Sequence, residues 1–353
     1  MPDHDLSEAL RLRVAEAVAT ETALRIVGSG SKQFYGNHCA GEPLAMHAHA
    51  GIVDYEPGEL VITARSGTKV LDIEKQLAAH RQMLAWDPPR FGPQATIGGA
   101  IATGLSGPRR AYTGAARDYV LGVTVVTGRG EIQAFGGRVI KNVAGFDVSR
   151  LMTGALGTLG VILDVSLKVL PLPECEMTLV FPCDVSTAIG QMNQLARHPG
   201  LSGTSHYDGQ MYIRFSGSTH SVQAASAAAG GVVVSDADVP WERLREQTHP
   251  FFADDGRVLW RLSLAPATPP LPLPGDWLIE WGGAQRWLKS NTEATAVRAA
   301  AERHGGHATA FRYQSDAVGA FHPLSPPAAR LHRRLKECFD PVAILNRGRL
   351  YAL

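Results

Sequence analysis

Apolar residues recur at Leu6, Leu10, Val14 and Val18, and this spacing predicts a helix over residues 6–20. A short apolar run, 23–27, then reads as a strand ending at Gly28. Residues 59–64 form a second buried strand, and Val70, Leu71, Ile73, Leu77 and Ala78 mark the helix after it. The strand–helix rhythm stops in a Pro/Gly stretch over 87–108, too long for an idle connector in a compact domain. Beyond it, 119–127 and 131–134 predict a hairpin around Gly128-Arg129-Gly130, and 158–170 is a long β-rich run. A first domain over 1–173 ends at Pro171-Leu172-Pro173.

The texture then changes. Residues 177–181, 203–207, 211–215, 232–234, 258–264 and 277–281 read as strands, and 185–196, 220–229 and 293–304 as helices. This order predicts an antiparallel sheet with helices on one face, a cap domain over 174–329 with room for two similar halves. Residues 265–275 hold five prolines in eleven positions and predict an extended loop. A basic helix over 330–339 and a tail over 340–353 follow. The fold class is α+β.

Composition narrows the function classes. The 353 residues fit two domains, and 34 Lys and Arg against 33 Asp and Glu leave a net charge of +1, which argues against a nucleic-acid partner. No run approaches the ~18 apolar residues of a membrane span, and the uncharged stretch 221–235 is mostly Ala, Gly and Ser. The first residues carry acids where a secretory signal needs a basic head. Cys39, Cys175, Cys183 and Cys338 are far apart and show no zinc spacing, so reduced thiols in a cytoplasm are expected.

Three glycine-rich stretches carry the candidate chemistry. Gly28-Ser29-Gly30-Ser31-Lys32-Gln33 follows a strand and can present consecutive backbone N–H groups to a phosphate, or be a plain strand-to-turn connection. It is neither a dinucleotide GxGxxG, which needs Gly where Gln33 stands, nor a P-loop. Pro93-Gln94-Ala95-Thr96-Ile97-Gly98-Gly99-Ala100 offers Thr96 as a helix cap or phosphate donor and two glycines for close backbone approach. Gly154-Ala155-Leu156-Gly157-Thr158-Leu159-Gly160-Val161-Ile162 leads directly into a strand, and a tight packed turn is its alternative reading.

In their order and spacing the three stretches resemble the FAD-binding domain of the vanillyl-alcohol oxidase and p-cresol methylhydroxylase superfamily, over residues 25–173. The match continues through 107–114, Arg117-Asp118-Tyr119-Val120-Leu121-Gly122 and Lys141-Asn142-Val143-Ala144-Gly145-Phe146-Asp147. In that family the first two loops wrap the FAD pyrophosphate and the third passes the adenine and ribose. The resemblance therefore assigns Gly28, Ser29, Gly30, Ser31, Lys32, Pro93, Thr96, Ile97, Gly98, Gly99, Thr103 and Gly104 to FAD. It adds Arg110, Gly114, Asp118, Gly157, Gly160, Val161 and Ile162. The stretch Phe339-Asp340-Pro341-Val342-Ala343-Ile344-Leu345-Asn346-Arg347-Gly348-Arg349 is similar to the closing segment of the glycolate oxidase and D-lactate dehydrogenase branch, implying that 330–353 returns to the FAD domain. Taken whole, the chain looks most like the smaller FAD-binding subunits of bacterial glycolate oxidase complexes. That likeness implies a larger FAD-linked subunit and an iron–sulfur subunit as partners, and peripheral membrane association only through them.

Departures from the family pattern matter as much. Relatives with covalent flavin use a His in or beside the first loop; here Ser29-Gly30-Ser31-Lys32 stands there, so noncovalent FAD is expected. The metal-binding His-x-Gly-Asp-Gly-Asn-x-His stretch is missing, with only the fragments His206-Tyr207-Asp208-Gly209 and His304-Gly305-Gly306-His307, so no metal is expected. The family's Gly-Ser-Glu-Gly-Thr reads Gly154-Ala155-Leu156-Gly157-Thr158 and loses its acid. Hydroxy-acid oxidation needs a base and a cation for the carboxylate. Arg109, Arg110, Arg347, Arg349 and His322 are candidates, none of them assigned. Trp260, Trp277, Trp281 and Trp287 cluster in the second domain, and Trp281 and Trp287 are expected to dock a partner if exposed.

Overall fold

The structure is a computed structural model, and it describes residues 3–137, 147–235, 238–313 and 319–352. The chain divides into two compact units. The first comprises 1–105, 115–171 and 323–353; the second comprises 106–114 and 172–322. Segment 106–114, read from sequence as part of the FAD domain, thus packs with the second unit, and 323–329 with the first.

In the first unit the helix Ser7–Ala19 buries Leu10, Val14 and Ala17 along one stripe. Strands β1 (Leu24–Val27) and β2 (Glu42–Ala45) pair in parallel. An antiparallel sheet joins β3 (Ile52–Glu56), β4 (Val61–Arg65), β6 (Val120–Val126), β7 (Ile132–Gly136) and β8 (Val161–Lys168) in the order β3-β4-β8-β6-β7. The short strands β5 (Gln82–Met83) and β9 (Leu170–Pro171) form a separate pair. Strand β8 is central and packs on both sides, which is why its sequence is an apolar run rather than an alternation. Val161 and Leu163 join Leu10 and Val14 in one core cluster. Ile162, Val165 and Leu167 join Val70, Ile73, Leu77 and Trp86 in another. The Pro/Gly stretch contains a helix that periodicity did not reveal, Ile97–Thr103, capped by Thr96 and ended by left-handed Gly104. Residues 141–146 of the expected family stretch lie outside the described residues.

The described residues of the second unit build one eight-stranded antiparallel sheet. Its strands are β10 (Cys175–Pro182), β11 (Leu201–Tyr207), β12 (Gln210–Gly217), β13 (Val232–Val233), β14 (Val258–Ser263), β15 (Asp276–Glu280), β16 (Gln285–Ser290) and β17 (His307–Arg312). The order β13-β10-β12-β11 is repeated as β17-β14-β16-β15, and the halves meet where β11 pairs with β15. Each half runs strand, connection, two strands, helix, strand; the first connection is the helix Val185–Leu195 in one half and the proline loop 265–275 in the other. Helices Val185–Leu195, Thr219–Ala229 and Ala294–Glu302 bury apolar residues against one face of the sheet. The opposite face also carries a helix, Asp238–Arg245, whose Trp241 Nε1 donates to Thr178 Oγ1 at 2.8 Å. Helices therefore lie on both faces, more on one than the other. Among the described residues no helix is long and apolar enough to cross a membrane.

Candidate functional site

Two loops make the first wall of a cavity of about 860 Å³ in the first unit. One follows β1 and runs from Gly28 to Gln33; the other enters the helix Ile97–Thr103. Their approach dictates the glycines. A Cβ on Gly28 would sit 2.5 Å from Thr96 Oγ1, and one on Gly98 would sit 2.5 Å from Ser66 Cβ and 2.9 Å from its carbonyl oxygen. Gly30 has a different reason, a φ of +81° that only glycine adopts freely. Thr96 Oγ1 accepts from the Gly99 N–H at 3.3 Å and so holds the second loop in helical register.

The far wall comes from the other end of the chain. Asn346 Oδ1 accepts from the Ile26 N–H at 2.7 Å, while its Nδ2 donates to the Leu156 carbonyl at 2.6 Å, tying β1 to the turn that carries Gly157. Arg349 donates to the carbonyls of Gln33 and Tyr35 at 2.7 and 2.8 Å. The tail is itself clamped. Asp340 is buried and accepts from the Ile344 and Leu345 N–H groups, and Lys336 Nζ donates to Asp340 and to the Thr158 and Leu345 carbonyls. Burial pushes the Lys336 ammonium pKa down, against the pull of Asp340.

The cavity brings together Gly28, Ser29, Gly30, Ser31, Lys32, Thr96, Gly98, Gly99, Thr103, Gly157, Gly160 and Ile162. The other expected cofactor residues lie apart from it. Pro93 is exposed, and Ile97 and Val161 are core residues. Gly104 is the helix C-cap, packed against Gly154. Asp118 accepts from the Ala115 N–H at 2.8 Å. Arg110 and Gly114 belong to the second unit, where the Arg110 guanidinium lies 4.4 Å from the Trp281 ring centroid. Sequence reasoning missed Arg25, Cys39, Met46, Ser66, Asn346 and Arg349 as lining groups. Only Asn346 and Arg349 had a signal, inside the closing segment.

The lining fits FAD. Among the described residues it has no carboxylate, it includes Arg25, Lys32 and Arg349, and its glycine walls let backbone approach a pyrophosphate closely. Lys32 Nζ donates to the Arg90 carbonyl at 3.1 Å and lies 5.7 Å from the Phe91 ring centroid. The positive side of the cavity thus rests on two tethered cations and on Arg25, which has no ion pair among the described residues.

The sheet of the second unit carries a polar network on one face. Arg109 donates to Glu176 at 2.5 Å and to Ser216 at 3.3 Å, and Arg214 donates to Ser202 Oγ at 3.0 Å. Burial pushes the Glu176 carboxyl up, but Arg109, Arg214 and the Ser216 hydroxyl outweigh it and hold it below its ordinary value. Glu280 is the reverse case. It accepts from Trp287 Nε1 at 2.7 Å and Gln285 Nε2 at 3.0 Å, and burial raises its pKa. Trp281 and Trp287 are each only 5% exposed, so they cannot be the docking surface that sequence allowed. Trp281 lies between Arg110 and Arg261, and its indole N–H donates to the Gly107 carbonyl at 3.0 Å. Of the other catalytic candidates, His322 pairs with Glu302 at 2.9 Å and Arg347 is exposed outside this cavity. His206 is bonded to the Cys183 carbonyl.

Residues 6–136 match the family described as FAD binding domain. The chain is 45% identical to the glycolate oxidase subunit GlcE of Escherichia coli (strain K12), over 99% of this chain and 98% of that protein. It is 35% identical to the glycolate oxidase subunit GlcD of Bacillus subtilis (strain 168), over 36% of this chain and 27% of that one. Among solved structures, an alkyldihydroxyacetonephosphate synthase shares the fold with a TM-score of 0.68 at 16% identity, over 97% of this chain and 75% of that chain.

Proposed function

The chain belongs to the family of the glycolate oxidase subunit GlcE, and from that premise we propose that it is the FAD-binding subunit of a multi-subunit enzyme oxidising glycolate to glyoxylate. The observation that carries this reading is full-length similarity to one subunit of such an enzyme, combined with a glycine-walled cavity on its FAD-binding unit that no described carboxylate lines. Bound FAD supplies two-electron redox chemistry. The chain's own part is to hold it: the 28–33 loop and Gly98-Gly99 against the pyrophosphate, Arg25 as a countercharge, and Asn346 and Arg349 keeping the two walls together.

The partners are a larger subunit related to GlcD and an iron–sulfur subunit that carries electrons onward, with any membrane association made through them. The flavin is noncovalent, since the first loop offers Ser29, Ser31 and Lys32 but no histidine; Cys39, a buried thiol in the lining, is the one cysteine there. Acid precipitation is expected to leave the yellow colour in the supernatant, and colour in the pellet would overturn the noncovalent assignment.

The test of the main reading is co-purification with both partners, followed by glycolate-dependent dye reduction by the complex and by this chain alone. Turnover by the complex and none by the FAD-loaded chain is expected. Glycolate reduction of the isolated chain's flavin at the rate of the complex would favour a self-sufficient 2-hydroxy-acid oxidoreductase. That second reading has one supporting observation, the polar sheet face with Arg261 beside buried Glu280. A purified complex without glycolate turnover would sink both.

A further inference from the structure

A second cavity of about 890 Å³ opens in the first unit, between the C-terminal helix Pro326–Phe339, the tail and the turn at 153–159. It shares one lining residue, Asn346, with the FAD cavity. Its floor is apolar, made by Leu151, Leu159 and Leu335. The Tyr351 ring stands edge-on to His332 at 5.4 Å, and both line it.

The polar lining is one-signed. Among the described residues no Asp or Glu lines it, whereas Arg117, Arg150, His332, Lys336 and Arg347 do. Two of these cations are committed, Arg150 to Asp147 at 3.1 Å and Lys336 to Asp340 at 2.6 Å. Burial lowers the His332 pKa, so the imidazole is neutral at pH 7. Arg117 and Arg347 remain, both exposed and without an ion pair among the described residues. Gly154 and Gly348, in the same lining, have positive φ and nothing within 4 Å of a built Cβ, leaving bare backbone at the cavity. Thr153 also lines the cavity; it is 6% exposed, and its Oγ1 is buried with no hydrogen-bond partner. That oxygen is closed off from solvent, so the residue meets the cavity through its other atoms.

We propose that this cavity binds a small organic phosphate with an apolar or aromatic body, at a site separate from FAD. Two uncommitted guanidiniums make a set suited to a dianion, where a monocarboxylate would need one guanidinium. The leucine floor and Tyr351 provide the surface for the body. This site concerns the first unit only and stands whether or not the complex oxidises glycolate.

The FAD-saturated chain is titrated calorimetrically with AMP, inorganic phosphate and benzoate while flavin absorbance is followed. AMP is expected to bind one equivalent without releasing FAD, tighter than inorganic phosphate, with benzoate weaker than either. Arg347→Gln and Arg117→Gln each weaken AMP binding about tenfold, the loss of one charge-assisted contact. Flavin content and melting temperature of the two exposed arginine variants stay unchanged, which separates lost binding from lost folding. Displacement of FAD by AMP, no binding of AMP to the FAD-saturated chain, inorganic phosphate or benzoate binding as well as AMP, or AMP binding unaffected by both arginine changes would each overturn the proposal.

Discussion

At the scale of single residues, the glycines of the FAD cavity divide by what their missing side chains would meet. Gly98 faces Ser66, with the built Cβ inside contact distance of both side chain and carbonyl, so Gly98→Val forces the backbone apart. Gly99 faces only Thr96 Oγ1 at 3.2 Å and lines the cavity. Gly98→Val is therefore expected to lose about 1–3 kcal/mol in a urea titration, the range for overpacking, and its FAD content falls with its fold. Gly99→Val is expected to keep most stability and lose FAD, and equal stability losses in the two variants would contradict this division. Arg25→Gln is expected to weaken FAD binding about tenfold at unchanged melting temperature, as for one charge-assisted contact; an unchanged dissociation constant would remove Arg25 from the site. The glycines and Thr96 were legible in sequence because close approach and capping restrict residue type. Arg25, Ser66, Cys39 and Met46 were not, because each is an ordinary residue in a strand or loop whose role comes from tertiary placement.

Elements tell a similar story. The tail was legible as a segment, but its clamp was not: Asp340 and Lys336 sit at helical spacing, and nothing in that spacing says that Lys336 also reaches the Thr158 carbonyl. Removing one partner of a buried ion pair leaves the other uncompensated, so Asp340→Ala is expected to cost about 3–5 kcal/mol. Because Asn346 follows directly on the clamped turn, the same variant should lose FAD affinity, whereas Arg347→Gln should not. Retained FAD affinity in Asp340→Ala would show that the tail holds its position without the clamp. Two strands of the second unit escaped the sequence reading for a physical reason. Strand β16 reads Gln-Arg-Trp-Leu-Lys-Ser and is buried throughout, because Arg286 is satisfied by the Gly283, Pro269 and Thr268 carbonyls and Lys289 by that of Ala253. Its polarity hides a central strand. Strand β17, His-Ala-Thr-Ala-Phe-Arg, is alanine-rich at its core positions, where Ala308 and Ala310 fit beneath the helix Ala294–Glu302. The repeat of strand order within the sheet makes these two strands the partners of β12 and β13, so the expectation of similar halves contained information that local pattern lacked.

For the whole molecule, the titrating groups set how stability depends on pH. Four histidines, His49, His249, His307 and His332, have pKa values lowered chiefly by burial, with Arg65 adding at His49 and Arg261 at His307. In the unfolded chain each returns to about 6.5, so below that pH the unfolded state binds more protons and stability falls. A second loss comes lower. Asp3 and Glu176 are held below their ordinary values, Asp3 by its hydrogen bond to Arg65 and Glu176 by its cations against burial. Their stabilisation is present above the unfolded carboxylate pKa of about 4 and is lost as pH falls through the lower folded values. Asp164 and Glu280 act in the opposite sense, because burial raises them: their contribution is full in acid and fades as pH rises through the folded values. At the alkaline end, burial pushes Tyr112 up to about 12, so its contribution is lost between its ordinary value, about 10, and that value. The four histidines therefore lower urea midpoints between about pH 8 and about pH 5.5, before any carboxylate of ordinary pKa titrates, and protonation of Asp164 or Glu280 acts against them. His49→Asn isolates the first step. An asparagine oxygen can replace the Nδ1 that accepts from the Leu6 N–H at 3.0 Å, yet it cannot titrate. The variant is expected to be less stable at about pH 8, since a ring that is fully buried is lost, but to show a smaller drop between about pH 8 and about pH 5.5. A drop equal to that of the unsubstituted chain would mean that the acid limb belongs to the other three histidines.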